Sequence, residues 1–262
     1  MGTDGSGRGA PERRREQITA HVLAAGSVTA AELAEKFGVS LMTVHRDLDE
    51  LERRGIVRKY RGGVTAQPSR VFESNVAYRM TSMRGAKEAI AARALELVEP
   101  GMAVMLDDST SALELARLLP GIAPLTVVTN FLEIINLLAA EPELRLVALG
   151  GDHDPLHNSF LGASCADAIE ALSVDLCFVS TSAVSGGFAY HQEQHIVSVK
   201  RAMLRSAARG VLLVDRTKLG RVALHRVAPL AAFDRLIVDD GAGAEALRDL
   251  DEHKVRYEVA AT

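Results

Sequence analysis

Arg53, Arg54, Arg58, Lys59 and Arg61 fall within nine positions that hold no acid. The plain reading of such a run is a solvated basic loop, and a phosphate backbone is the partner it would take. Shortly before it, Ser40-Leu41-Met42-Thr43-Val44-His45-Arg46 mixes donors with apolar residues at helical spacing. With Val44 and Leu48 turned inward, Ser40, Met42, Thr43, His45 and Arg46 face a partner. Arg46 can reach a guanine edge or a phosphate. Arg58, Lys59 and Arg61 would lie along the backbone. Asp47 and Glu50 read as ordinary helix charges.

A second group lies further along: Asp107-Asp108-Ser109-Thr110-Ser111, Thr129-Asn130, Gly150-Gly151, Ser180-Thr181-Ser182 and Asp215-Arg216-Thr217-Lys218. Each follows an apolar run of strand length. A hydroxyl-bearing loop that opens a helix presents N–H groups and a positive dipole, which suits a phosphate. Lys218 adds a point charge, and Asp107 or Asp215 can accept sugar hydroxyls. Taken singly, each piece is also a common cap or turn. Two histidine pairs have metal-like i, i+4 spacing. His191 and His195 flank Glu193 without a third ligand, and Pro155 between His153 and His157 argues against a helix. We therefore expect no metal and no cofactor, with His191 and His195 facing solvent at the mouth of the site.

The elements that must position these residues divide the chain. Residues 1–12 read as a disordered tail. Residues 13–66 read as three short helices and a hairpin. Ile18, Val22 and Leu23 face one side of the first helix. Thr29 and Glu32 form a capping box for the second, and Gly38 stops it. Ser40 caps the third, whose Val44, Leu48 and Leu51 point inward, with Gly55 as its stop. Ile56–Val64 reads as two strands closed at Gly62-Gly63. The tight Gly38-Val39-Ser40 turn makes this a helix-turn-helix with a basic wing.

Residues 67–83 read as a linker. Residues 84–262 alternate strands (102–106, 126–129, 145–149, 176–180, 211–215, 235–239, 255–259) with helices (84–98, 111–119, 131–140, 163–172, 193–208, 243–250). That order predicts an α/β domain with a mostly parallel sheet. Gly241–Ala246 reads as a turn and helix cap. Ligands in such sheets bind beyond the carboxyl ends of the strands, where the second group collects.

Composition fits this division. The net charge of −4 separates into +3 over residues 1–70 and −7 over the rest, so DNA contact is expected only at the N-terminal end. Trp is absent and aromatics make up 4%, which disfavours base stacking. The chain has no apolar run of membrane length and no apolar signal core, so a cytoplasmic location is expected. Cys165 and Cys177 read as reduced thiols on apolar faces.

Val39-Ser40-Leu41-Met42-Thr43-Val44-His45-Arg46-Asp47-Leu48, then Leu51-Glu52-Arg53-Arg54-Gly55, then Arg61-Gly62-Gly63-Val64, resembles the N-terminal signature of the DeoR family of bacterial regulators. His45 stands where the family has the first Arg of a pair, and Arg61 where a His commonly precedes the glycines. The resemblance continues through Asp107–Ser111, with Ser109 in place of a usual Gly, and through Thr129-Asn130, Gly150-Gly151, Asp175-Leu176-Cys177-Phe178, Val199-Lys200 and Asp215–Lys218. It implies a winged helix-turn-helix followed by a sensor domain similar in fold to ribose-5-phosphate isomerase. It also implies a double-stranded DNA operator, a phosphorylated sugar effector that Lys200 helps to bind, and a homo-oligomer. The expected function is transcriptional repression of carbohydrate genes, without enzyme activity. One rival is a sugar-phosphate isomerase with an added DNA domain, for which Asp175 and Glu193 are the candidate bases. Another is a constitutive DNA binder with an inert second domain.

Overall fold

A computed structural model describes residues 9–25, 27–53, 57–60, 62–66 and 76–262. The chain divides into two compact units, Met1–Tyr78 and Arg79–Thr262.

The first unit runs α1 (Gly9–Ala25), β1 (Ser27–Thr29), α2 (Ala30–Phe37), α3 (Leu41–Arg53), β2 (Val57–Tyr60) and β3 (Gly63–Ala66). Its antiparallel sheet has the order β1-β3-β2. The capping box at Thr29 forms as expected: the Thr29 hydroxyl accepts from the Glu32 amide at 3.2 Å and the Glu32 carboxylate accepts from the Thr29 amide at 2.7 Å. Gly38 ends α2 in the left-handed region at φ +62°, which a side chain would resist. Ser40 caps α3 through the Thr43 amide at 3.2 Å. Ile18, Val22, Leu33, Val44, Leu48, Leu51, Val57 and Val64 form one buried core. The Leu23 side chain, Gly55 and Ile56 lie outside what is described.

Two expectations change here. The first helix begins at Gly9 and not at Arg13, so the tail through residue 12 is too long. Pro11 sits in the first turn, where its missing N–H is no loss, and Glu12 favours the positive end of the helix. Asp47 is not an ordinary surface charge. It is buried on α3 and accepts from Arg14 Nε at 2.6 Å and Arg15 Nη1 at 3.4 Å on α1. Glu50 does pair along the helix surface, with Arg53. The glycine pair of the wing also has a steric cause. A Cβ on Gly63 would lie 2.5 Å from Tyr60 Oη and 2.8 Å from the Val28 carbonyl oxygen.

The second unit carries α4 (Val76–Thr81, which spans the boundary), α5 (Arg84–Leu95), β4 (Ala103–Leu106), α6 (Thr110–Ala116), β5 (Leu125–Thr129), α7 (Leu132–Leu138) and β6 (Leu144–Ala148). It continues through β7 (Asp152–Asp154), β8 (Ser159–Leu161), α8 (Ala163–Glu170), β9 (Val174–Ser180), β10 (Ala183–Ser185), β11 (Phe188–His191) and α9 (Gln194–Arg205). It ends with β12 (Ala207–Val214), β13 (His225–Pro229), β14 (Arg235–Asp239), α10 (Ala244–Glu252) and β15 (Tyr257–Ala260). The seven-stranded sheet has the order β15-β14-β12-β9-β4-β5-β6, and every pairing in it is parallel. Its central strands read as near-continuous apolar runs, as a sheet covered on both faces requires. Val211 to Val214 are all buried.

The chain builds β4, β5 and β6 outward in one direction and β9, β12, β14 and β15 in the other. The order therefore reverses between β4 and β9, and open α/β sheets leave a crevice at that point. All seven strands match the expected ones within a few residues. The hairpin β7-β8 and the small antiparallel sheet β10-β11-β13 were not expected. The stretch read as a linker to residue 83 contains α4, whose Arg79 packs into the second unit.

Because Asp47 is the buried acceptor for two arginines, Asp47→Ala should cost about 1–3 kcal/mol locally, since it strands part of a buried charge network. Glu50→Ala, which removes a surface pair, should cost well under about 1 kcal/mol. Hydrogen exchange of the amides at Ile18–Val22 and Val44–Leu51 measures this. Equal protection in the two variants would refute it.

Candidate functional site

On α3, Leu41, Met42, His45 and Arg46 are exposed, with Met42 at 65%. Ser40 and Thr43 are coupled to each other, their hydroxyls 3.0 Å apart. Arg58 is exposed on β2. Lys59 is not a free cation: its ammonium pairs with Asp49 of α3, which raises its pKa, and its amide donates to Glu52 at 2.9 Å. Arg61 lies outside the described residues. Of the expected DNA-reading set, four members thus lie on α3, Ser40 caps it, and two lie on the wing strand, one of them already engaged.

In the second unit, β4 ends in Asp107 and Asp108, both buried. The Asp107 carboxylate takes three hydrogen bonds. Oδ1 accepts from the Ser109 amide at 3.0 Å, and Oδ2 accepts from the Ser180 amide at 2.7 Å and from Lys200 Nζ at 2.5 Å. Asp107 thus pins the β4 loop to the end of β9. Asp108 takes Lys200 Nζ at 3.1 Å on one oxygen and the Ser159 hydroxyl at 3.2 Å on the other. Burial pushes the Asp108 carboxyl up, but the Lys200 and Arg79 charges outweigh this and hold it well below the usual carboxylate range. For Lys200, burial pulls downward and the two carboxylates raise the ammonium above its ordinary value. Asp108 and Lys200 are therefore an ion pair.

Arg79 completes the cluster from α4. Its Nη1 donates to the Asp108 carbonyl at 3.0 Å, while its Nε and Nη2 are buried and have no hydrogen-bond acceptor among the described residues. Burial lowers its pKa against the pull of Asp108 and Asp107. Lys87 on α5 is also buried, and its ammonium donates to the Arg79 and Ser82 carbonyls. Burial pushes Lys87 down to about 8, with Asp215 resisting and Lys218 reinforcing the shift. That places Asp215 and Lys218 in reach of the same cluster. Asp215 caps its own turn through the Thr217 amide at 3.0 Å.

The remaining expected residues divide between site and scaffold. Ser109 caps α6 through the Ala112 amide at 3.0 Å, and Thr110 donates to the Arg79 carbonyl at 3.2 Å. Ser111 is buried in the first turn of α6. Thr129 accepts from the Phe131 amide at 3.1 Å. Asn130 donates to the Phe160 carbonyl at 2.9 Å, and its Oδ1 is buried without a donor. Gly150 is exposed. Gly151 serves clearance: it has φ +148°, and a Cβ there would lie 2.3 Å from the Leu161 carbonyl oxygen.

His191 ends a strand and is buried, not solvent-facing on a helix, and burial pushes its imidazole down to about 3. Arg79, Lys87 and Ser159 were not expected at the site; Asp108 was named only as part of the β4 loop, His157 only in a histidine pair, and Glu193 only as a candidate base. The two isomerase candidates are poorly placed. Asp175 sits at the amino end of β9 and accepts from the Ala103 amide at 2.8 Å. Glu193 is bonded to His157 at 2.6 Å.

Lys87 has a pKa lowered by folding, so between about 8 and its ordinary 10.5 the unfolded chain binds more protons than the folded one. Stability from this group rises with pH across that window. Lys87→Met should therefore gain most over the parent below pH 8, and the difference should shrink as pH climbs through the window. Thermal melts from pH 7 to 10 measure it; a difference independent of pH would refute it.

A model of the DeoR-like helix-turn-helix domain matches residues 14–70, and one of the DeoR C-terminal sensor domain matches residues 82–240. The transcriptional regulator YgbI of Escherichia coli strain K12 is 34% identical over 95% of this chain and 98% of its own. The glycerol-3-phosphate regulon repressor of the same strain is 27% identical over 94% and 98%. A ribose 5-phosphate isomerase A from Methanocaldococcus jannaschii aligns over 50% of this chain and 52% of its own, with a TM-score of 0.38 at 20% identity. With an exposed third helix in one unit, a buried charge cluster at the strand ends of the other, and both family models matched, the chain belongs to the DeoR family of transcriptional regulators and is not an enzyme.

Proposed function

We propose that this regulator binds a DNA operator through α3 and the wing, and that a phosphorylated sugar at the β4/β9 crevice controls it. The observation that carries the effector reading is Arg79. Two buried guanidinium N–H groups without an acceptor are costly, and an anionic oxygen pair matches their fork. Lys87 and Lys218 extend the positive field, while Asn130 Oδ1 offers an acceptor for a hydroxyl. The relative that governs a glycerol-3-phosphate regulon fits a ligand of this kind. Repression of carbohydrate genes in the cytoplasm, by a homo-oligomer reading paired half-sites about 34–36 Å apart, completes the reading.

A band-shift titration with a panel of phosphorylated sugars tests it. One of them should change operator affinity, and Arg79→Gln should raise the concentration required by roughly 10- to 100-fold, the size of a lost charged hydrogen bond. No response to any member of the panel would overturn the control model.

On the DNA side, Arg46→Ala should weaken specific binding by roughly 1–3 kcal/mol if the side chain reads a base edge. Asp49→Asn should release Lys59 to the phosphates and steepen the salt dependence of log K by about one unit. An unchanged slope for Asp49→Asn would remove Lys59 from the backbone contacts.

A further inference from the structure

Neither i, i+4 histidine pair of the sequence forms a site by itself, but the fold joins one member of each. His157, in the β7–β8 turn, and His195, in the first turn of α9, meet across Asp154 and Glu193. His195 Nε2 lies 3.5 Å from Asp154 Oδ2 and 3.4 Å from Glu193 Oε2, and His157 Nε2 lies 2.6 Å from the same Glu193 oxygen. One ligand-type atom from each of Asp154, His157 and His195 falls within 4.8 Å of the other two.

We infer that Asp154, His157, Glu193 and His195 form a binding site for a divalent transition-metal ion, with zinc as the best fit. Bonds of about 2.0–2.2 Å in a tetrahedron place neighbouring ligand atoms roughly 3.3–3.5 Å apart. Four ligands make six such distances: of the three given above, two already have that value and the third reaches it when the His157–Glu193 hydrogen bond opens by under an ångström, while Asp154, His157 and His195 lie within 4.8 Å of one another. Two imidazoles select zinc, nickel or copper over magnesium and calcium, which prefer oxygen.

The surrounding bonds orient these ligands. Asp154 Oδ1 is held by the Leu156 and His157 amides at 2.8 and 3.0 Å, which leaves Oδ2 to face the histidines. The His157 ring is buried, its Nδ1 has no hydrogen-bond partner among the described residues, and Asp108 Oδ2 lies 3.9 Å from it. A metal on Nε2 fixes the proton on Nδ1 and points it at that carboxylate, the usual outer partner of a ligating histidine. His195 is half exposed, so the site opens to solvent and an ion can enter. A bound ion would fasten the β7–β8 turn to the start of α9, the helix that carries Lys200. His153 is absent from the cluster, its ring facing Asn158 Oδ1 at 3.0 Å.

The test is zinc binding to the full-length protein after chelator treatment, followed by calorimetry, with cobalt absorption as the report of tetrahedral geometry. The wild type should bind one zinc per chain. His195→Ala and Asp154→Asn (the second keeping the acceptor for the two amides) should each weaken binding by at least roughly tenfold. His153→Ala should bind as the wild type does. Thermal melts without metal establish that the variants are folded. Failure of the wild type to bind micromolar zinc, or equal binding by His195→Ala, would overturn the site. The measurement uses neither DNA nor a sugar, so its outcome is separate from that of the effector reading.

Discussion

The ammonium of Lys200, held between the carboxylates of Asp107 and Asp108 with almost no exposure, is the constraint on which the second domain depends. Taking three charges out of water costs several kcal/mol for each ion, and the attraction among them offsets this only when the geometry is good and the other lone pairs are satisfied. Here they are satisfied by backbone and by neighbouring strands. Asp107 takes the amides of Ser109 and Ser180, so it joins the end of β4 to the end of β9. Asp108 takes the Ser159 hydroxyl from β8, and Lys200 comes from α9. The trio therefore fixes the place where the strand order reverses, the one place where an all-parallel sheet leaves a crevice instead of a packed surface.

The same network determines what that crevice can accept. Two carboxylates face one ammonium, and Arg79 adds a second cation, with Glu193 and Asp154 also in its field. Lys87 is a further buried cation, its pKa lowered by burial against the pull of Asp215. On the proposed reading, an anion binds at the Arg79 nitrogens that have no acceptor among the described residues. The hydroxyl-bearing loops that first suggest a phosphate site do less than their composition implies. Ser109, Thr129 and Asp215 spend their side chains on caps and turns. On the proposed reading, the donors that take the anion come from α4.

That division explains what can be read in the sequence. The seven strands are legible because each is an apolar run too short for a helix and bounded by polar turns, and the crossover helices between them have helical period. The capping box at Thr29, the turn at Gly38 and the inward stripe Val44, Leu48, Leu51 are local signals, and local physics decides them. Arg79 and Lys87 are not legible. Each has apolar neighbours in sequence (Val76 and Met80; Ala86, Ile90 and Ala91), but a long cation beside an apolar stripe commonly reaches water, so the sequence does not distinguish a buried cation from a solvated one. Partners distant in sequence offset the burial: Asp107 and Asp108 for Arg79, and Asp215 for Lys87. Asp47 has the same character: its partners are on α1, more than thirty residues earlier. The sheet β10-β11-β13 was accessible in principle. Gly186-Gly187, at φ +56° and +77°, is a two-residue hairpin turn, and that dipeptide between short strands is its usual signal.

Arg79 also bears on how an effector could be felt elsewhere in the chain. It lies on α4, a short helix that begins at Val76, ten positions after the wing strand β3 ends at Ala66. On the proposed reading, a ligand that engages the open guanidinium donors acts directly on the segment through which the two units are joined. A ligand shifts an equilibrium only by its differential affinity for the two states. Regulation typically requires about 1–3 kcal/mol of such a difference, which is the range of one or two charge-assisted hydrogen bonds. Arg79 has two donors that fit that description. A contact made in one arrangement of α4 and lost in another would therefore supply the needed coupling, with no rearrangement of the sheet and no breaking of the Asp107–Lys200–Asp108 network.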